Sequence, residues 1–127
     1  MKLRCTRNSI RIRLRKSELE QLKKDKHCTE VMYFPGQRVL TFGIFIRSVT
    51  SINVSLHDNQ IQIVLPEIEA EHWIETDQVG METQLALSKE SFLHVLVEKD
   101  FPCKDRADED KSDTFEDLAN KNQADSC

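Results

Sequence analysis

The stretch that decides the fold reads Asn8-Ser-Ile-Arg-Ile-Arg-Leu-Arg-Lys-Ser-Glu-Leu-Glu20. It returns 51 positions later as Asn59-Gln-Ile-Gln-Ile-Val-Leu-Pro-Glu-Ile-Glu-Ala-Glu71. In both copies an Asn precedes three Ile or Leu residues at every second position, the period of a half-buried strand. The pattern then changes. Ser17-Glu-Leu-Glu20 reads as a capping box, with the Ser oxygen on an orphan amide and Glu20 reaching back. It opens a helix of about two to three turns with Leu19 and Leu22 on its inner face. In the second copy Pro66 suits a first helical turn, and Ala70, Trp73 and Ile74 follow at i, i+3 and i+4.

Working outward, Leu3 and Cys5 align with Val54 and Leu56 as the strand before each turn. Arg7-Asn8 and Asp58-Asn59 supply those turns, Asn being tolerant of left-handed backbone. Cys5 is expected to pack as a small hydrophobe on the apolar face. A hairpin is predicted after each helix, over 28–34 and 38–47 in the first half and 79–87 and 92–99 in the second. Pro35-Gly36 fits a type II turn at the first tip. The runs 39–46 and 92–97 are apolar enough to be buried on both faces.

The fold class is therefore α+β. Internally duplicated β-β-α-β-β units, about 1–50 and 51–102, form a small antiparallel barrel or sheet with two short helices. They make a single globular domain over 1–103. Residues 104–127, mostly Asp, Glu, Lys, Asn and Ser, read as an acidic, largely disordered tail. Within it a short helix over 114–120, with Phe115 and Leu118 at i and i+3, is the one candidate for docking.

The chain has 127 residues and a formal net charge of −4, a length that suits one domain. The small net charge conceals a polar layout. Residues 1–26 carry +7, residues 27–103 carry −7, and residues 104–127 carry −4. No apolar run approaches the roughly 20 residues of a membrane span, and the amino-terminal alternation is unlike a signal peptide. Cys5, Cys28, Cys103 and Cys127 form no C-x-x-C pair and read as reduced thiols. His27, His57, His72 and His94 are dispersed, and the reading carries no metal and no cofactor. Asp108-Glu-Asp110 with Asp113 lacks the spacing and glycine of a calcium loop.

Two resemblances add to this. The whole chain resembles a family of short bacterial proteins of unknown function. The likeness rests on Asn8-Ser-Ile-Arg-Ile-Arg-Leu14, Ser17-Glu-Leu-Glu20, Thr76-Asp-Gln-Val-Gly80, Val97-Glu-Lys-Asp-Phe101 and Glu109-Asp-Lys-Ser-Asp113. It implies a bacterial, cytoplasmic setting and no mechanism. Each half-unit is also similar to the swapped-hairpin proteins, the transition-state regulators and the antidotes of toxin–antitoxin pairs. Asn8-Ser-Ile-Arg-Ile-Arg-Leu-Arg-Lys16 carries that likeness, with Arg15 where those proteins have Pro; Leu65-Pro66 retains it in the second half. Thr76-Asp-Gln-Val79 is similar to their Gly-Asp-x-Val turn. The resemblance implies two interleaved units, here carried by one chain that would then complete its fold as a monomer.

The sharpest chemical feature is a comb of Arg11, Arg13 and Arg15, extended by Lys2, Arg4 and Lys16. Residues two apart on a strand share a face at a spacing of about 7 Å, and guanidinium forks match phosphate or carboxylate oxygens. This predicts a non-catalytic binding module whose basic strand face takes an acidic protein segment or another polyanion. The bland counterpart is a comb neutralised by the chain's own acids. The opposite charges at the two ends also raise the expectation that the tail lies over the comb. Duplex DNA, the partner of a degenerate swapped-hairpin regulator, is less favoured: Gln62, Val64 and Pro66 replace the comb in the second half, and the chain is acidic overall. A phosphate-handling β-barrel enzyme would rest on Glu67 and Glu69, which fall in a predicted helix without a strand-borne Lys after them. No glycine-rich phosphate loop or nucleophile motif is present.

Overall fold

The computed structural model describes residues 1–101 and 112–118. Among the described residues, eight strands and two main helices alternate in the order of the duplicated units. The first half holds β1 (Lys2–Thr6), β2 (Ser9–Leu14), α1 (Lys16–Asp25), β3 (His27–Phe34) and β4 (Arg38–Arg47). The second holds β5 (Asn53–His57), β6 (Gln60–Pro66), α2 (Glu67–Glu75), β7 (Gly80–Ala86) and β8 (Phe92–Lys99). A further helical turn lies at 116–118.

The register confirms the repeat. Leu3 pairs with Ile12 and Val54 with Ile63, each member displaced by 51. In the second hairpins the offset grows: Ser9 faces His94 where Gln60 faces Thr41, so His94 stands 53 positions after its counterpart. Two residues have been gained between α2 and β7. Lys26 alone links α1 to β3, whereas Thr76 to Val79 link α2 to β7.

The strands form two four-stranded sheets, β1-β2-β8-β7 and β3-β4-β6-β5. Each sheet takes one hairpin from each half, so the two halves exchange hairpins within one chain. The pairing corrects the antiparallel expectation. The central pairs β2·β8 and β4·β6 are parallel, and only the outer pairs are antiparallel. Nor is there a closed barrel. Two hairpins meet along their second strands, which leaves both first strands as edges of an open sheet.

The chain divides into two compact units: Met1–Leu19 with the chain from Asp77 onward, and Glu20–Thr76. In the first, the fully buried apolar residues include Ile12, Leu14, Val95 and Val97. In the second they include Leu22, Ile44, Leu65, Ala70 and Trp73. Of the residues expected on the inner helix faces, Leu19, Leu22, Ala70 and Trp73 are thus buried, and Ile74 is half-buried. Residues 42–46 of β4 are buried or half-buried on both faces, but Val39 at the strand's start is exposed. Cys5, on the edge strand β1, is exposed too, against the expectation that it packs as a small hydrophobe.

Turn chemistry accounts for the hairpin ends. Asp58 and Asn59 both take left-handed backbone, at φ 48° and 62°, whereas Arg7 and Asn8 do not. Gly36 follows Pro35 at φ 79°, as a type II turn needs. Gly43 answers a different demand: a Cβ there would stand 2.5 Å from Thr29 Cγ2 and 2.7 Å from the Cys28 carbonyl oxygen.

Candidate functional site

The predicted site residues all belong to the first unit, but they do not form one strip. In the register of β1 and β2, Arg4 stands opposite Arg11 and Lys2 opposite Arg13. Directly opposite residues share a sheet face, so Lys2, Arg4, Arg11 and Arg13 make a basic quartet. Glu98 of β8 stands beside Arg13 on that same face. Arg15 lies beyond the end of β2, and Lys16 is the first residue of α1.

Glu98 is the hub of the face. Its Oε1 accepts from Arg11 Nε at 2.5 Å and from Arg13 Nε at 2.6 Å. Arg13 and Glu98 are 7% and 6% exposed, which makes this a buried ionic group. Breaking one member of such a pair is costly because the other charge stays buried. Lys2 Nζ reaches Asp100 Oδ2 at 3.2 Å. Arg4 is exposed at the rim, as is Lys16. The acids that meet the comb, Glu98 of β8 and Asp113, lie more than eighty residues away in sequence, and periodicity in the Arg stretch carries no sign of them.

The start of α1 is built differently from the sequence reading. The helix begins at Lys16, so Arg15 holds the capping position and Glu18 reaches back to the Arg15 amide, with Oε1 accepting at 2.9 Å. The capping box is therefore shifted by two residues from Ser17–Glu20. The missing side-chain acceptor comes from Asp113. Its carboxylate accepts from the Ser17 amide at 2.9 Å and from the Ser17 hydroxyl at 2.6 Å, and lies 3.4 Å from Arg15 Nε. The equivalent helix α2 starts after Pro66 with no side-chain cap.

Asp113 leads a short segment seated on this unit. The Lys16 amide donates to the Asp113 carbonyl at 3.3 Å, and the Phe115 amide donates to the Asp100 carbonyl at 3.0 Å. Two ammonium groups stand over the Phe115 ring, with Lys16 Nζ 5.6 Å and Lys99 Nζ 5.5 Å from its centroid. Both separations suit cation–π attraction. Thr114 and Leu118 are buried, while Glu116 and Asp117 face solvent. The expected docking pair Phe115 and Leu118 is thus in place. The remainder of the 104–127 tail, Cys103 and Cys127 lie outside the described residues. The tail's described part reaches Arg15 and Lys16, while Glu98 holds Arg11 and Arg13.

Two charged residues underlie the segment. Lys99 and Asp100 are 2% and 1% exposed. Burial pushes the Lys99 ammonium below its ordinary 10.5, partly opposed by the charges of Asp77 and Asp117. Asp100 Oδ1 is buried with no hydrogen-bond partner among the described residues.

The duplication repeats the strands but not this chemistry. Gln62 and Val64 stand where Arg11 and Arg13 do. At the position matching Glu98 stands Phe45, stacked on His27 at 6.1 Å and under the Arg47 guanidinium at 5.0 Å. The glutamates considered for phosphate chemistry, Glu67 and Glu69, line an open cleft of about 470 Å³ with Ser48, Val49, Thr50, Pro66 and Ile68, none of them cationic. Among the described residues no three His, Cys, Asp or Glu side chains gather to hold a metal ion, and no helix is long and apolar enough to cross a membrane.

A family model described as a family of unknown function, DUF7009, matches residues 1–119. The chain belongs to this family. Its match spans both halves of the DUF7009 fold and ends one residue beyond the seated segment 112–118. No curated protein and no solved structure matches the chain.

Proposed function

We propose that this DUF7009 chain is a non-catalytic binding module whose basic face, Arg4, Arg11, Arg13, Arg15 and Lys16, takes an acidic protein segment. The observation that carries the reading is the seated acidic segment itself: Asp113 on Arg15 and Ser17, and Phe115 under Lys16 and Lys99. The division of labour follows from burial. Arg11 and Arg13 are paired with Glu98 and tie β2 to β8 within the face. Arg4, Arg15 and Lys16, exposed or half-exposed at its edge, meet the partner. Electrostatic attraction of this kind raises association rates and weakens with salt.

The test is binding of fluorescent poly-glutamate to the intact chain by anisotropy across a salt series. Binding at low salt that falls with added salt, and that drops on Arg4→Ala with Lys16→Ala, is expected. Equal retention of poly-glutamate by the double variant would overturn the assignment of this face.

A further inference from the structure

We infer that the seat occupied by residues 112–118 is a docking site for a foreign acidic segment carrying Asp, Phe and Leu at the spacing of Asp113, Phe115 and Leu118, and that the chain's own segment is an internal competitor for it. This rests on the acidic-partner reading above and names the partner's chemistry.

The Asp and the aromatic ring of the pattern have separate receptors, and the Leu is buried. The Asp carboxylate meets the Ser17 amide and hydroxyl and the Arg15 guanidinium. The aromatic ring lies under the Lys16 and Lys99 ammonium groups. The Leu side chain is buried, with Leu118 2% exposed. The two positions between Phe and Leu, Glu116 and Asp117, face solvent, so acids are tolerated there and add attraction to the basic unit. A segment of six residues therefore presents three anchors of three different kinds, which is the chemistry of a recognised short peptide.

The seat has the floor of a binding site more than of a core. Its base includes Lys99 and Asp100, both charged and buried, and Asp100 Oδ1 has no partner among the described residues. A segment selected only to complete a core would be expected to cover apolar groups, since buried charge costs free energy unless compensated. Among the described residues the present occupant gives this acceptor no donor, and a foreign segment bringing one more would satisfy it.

Tethering explains how the chain's own segment can hold the seat and still yield it. Residues 102–111, Pro-Cys-Lys-Asp-Arg-Ala-Asp-Glu-Asp-Lys, separate Phe101 from the segment. A short tether gives an effective concentration on the order of millimolar. Against it, a free peptide of roughly micromolar intrinsic affinity would bind the intact chain about a thousandfold more weakly. A partner that presents the pattern on a larger interface overcomes this handicap.

The experiment uses the full chain and a fluorescein-labelled peptide of the sequence Lys-Ser-Asp-Thr-Phe-Glu-Asp-Leu-Ala-Asn, residues 111–120. A variant with Asp113→Asn, Phe115→Ala and Leu118→Ala vacates the seat and leaves Arg15, Lys16, Ser17, Lys99 and Asp100 unchanged. Anisotropy should show peptide binding to this variant, with wild type weaker by at least about tenfold. A peptide with Phe replaced by Ala should lose about tenfold on the same variant. Should the triple variant fail to unfold cooperatively, Asp113→Asn alone, at the outer edge of the seat, takes its place with the same expected order. No peptide binding to a folded vacated variant overturns the inference, as does equal binding by wild type and variant. A concentration-dependent dimer of wild type would assign the seat to a neighbouring copy's segment and overturn the foreign partner. Poly-glutamate separates the two levels: if it binds and the peptide does not, this inference falls while the acidic-partner reading stands; if neither binds, both fall.

Discussion

Asp113 caps helix α1 from ninety-six residues away, accepting hydrogen bonds from both the amide and the hydroxyl of Ser17. A helix start normally finds its acceptor in the residue just before it. Here that residue is Arg15, which has no acceptor, and a distant segment supplies one. The helix and the segment 112–118 are therefore coupled: whatever lifts the segment also uncaps α1.

Removing the acceptor should cost what a capping residue contributes. Asp113→Ala is expected to lower unfolding free energy by about 1 kcal/mol, read by urea denaturation. Glu20→Gln, at the position the local pattern nominates, should stay within about 0.5 kcal/mol of wild type. The reverse order would restore the capping box at Ser17–Glu20.

Glu98 neutralises two guanidiniums at once. Glu98→Gln leaves Arg11 and Arg13 facing each other across a buried neutral amide, and a loss of about 3–5 kcal/mol is expected. Replacing the buried pair together, Arg13→Met with Glu98→Leu, should cost less than Glu98→Gln alone. Thermal or urea unfolding of the three chains decides it.

Lys99 gives a pH signature. Its folded pKa lies below the unfolded 10.5 because burial disfavours the ammonium. Below the lowered value both states are charged and the desolvation cost is fully present. Between the lowered value and 10.5 the unfolded chain binds more protons, so this group makes stability rise with pH. Lys99→Met should flatten that rise in urea midpoints measured across the alkaline range. A slope unchanged by the substitution would place the titration elsewhere.

Hairpin exchange predicts that neither half is a folding unit. Fragments 1–50 and 51–127 each contain both hairpins of a half, yet those hairpins belong to different sheets. Each fragment alone should lack cooperative thermal unfolding, and mixing them should restore strand signal in circular dichroism. A fragment that folds alone would mean that hairpins can pair within a half.

The local pattern around residues 8–20 and 59–71 determined which elements form, because strand and helix periods depend on neighbours a few positions away; the exact start of α1 did not follow from it, since Asp113 completes its cap. It also determined the duplication and the burial of Leu19, Leu22, Ala70 and Trp73, since amphipathic spacing says which face turns inward. Phe115 and Leu118 were legible for the same reason. What met what was decided only by tertiary structure. Alternation says that a strand has an inner face, not which strand lies beside it or in which direction. The parallel joins β2·β8 and β4·β6, and the exchange they imply, therefore came with the packed sheets. The comb shows the same limit in chemical form. Arg11, Arg13 and Arg15 are evenly spaced in sequence, but strand β2 ends at Leu14, so the third guanidinium turns onto the helix start. Glu98 and Asp113, remote in the chain, then divide the three between a buried ionic hub and an exposed seat.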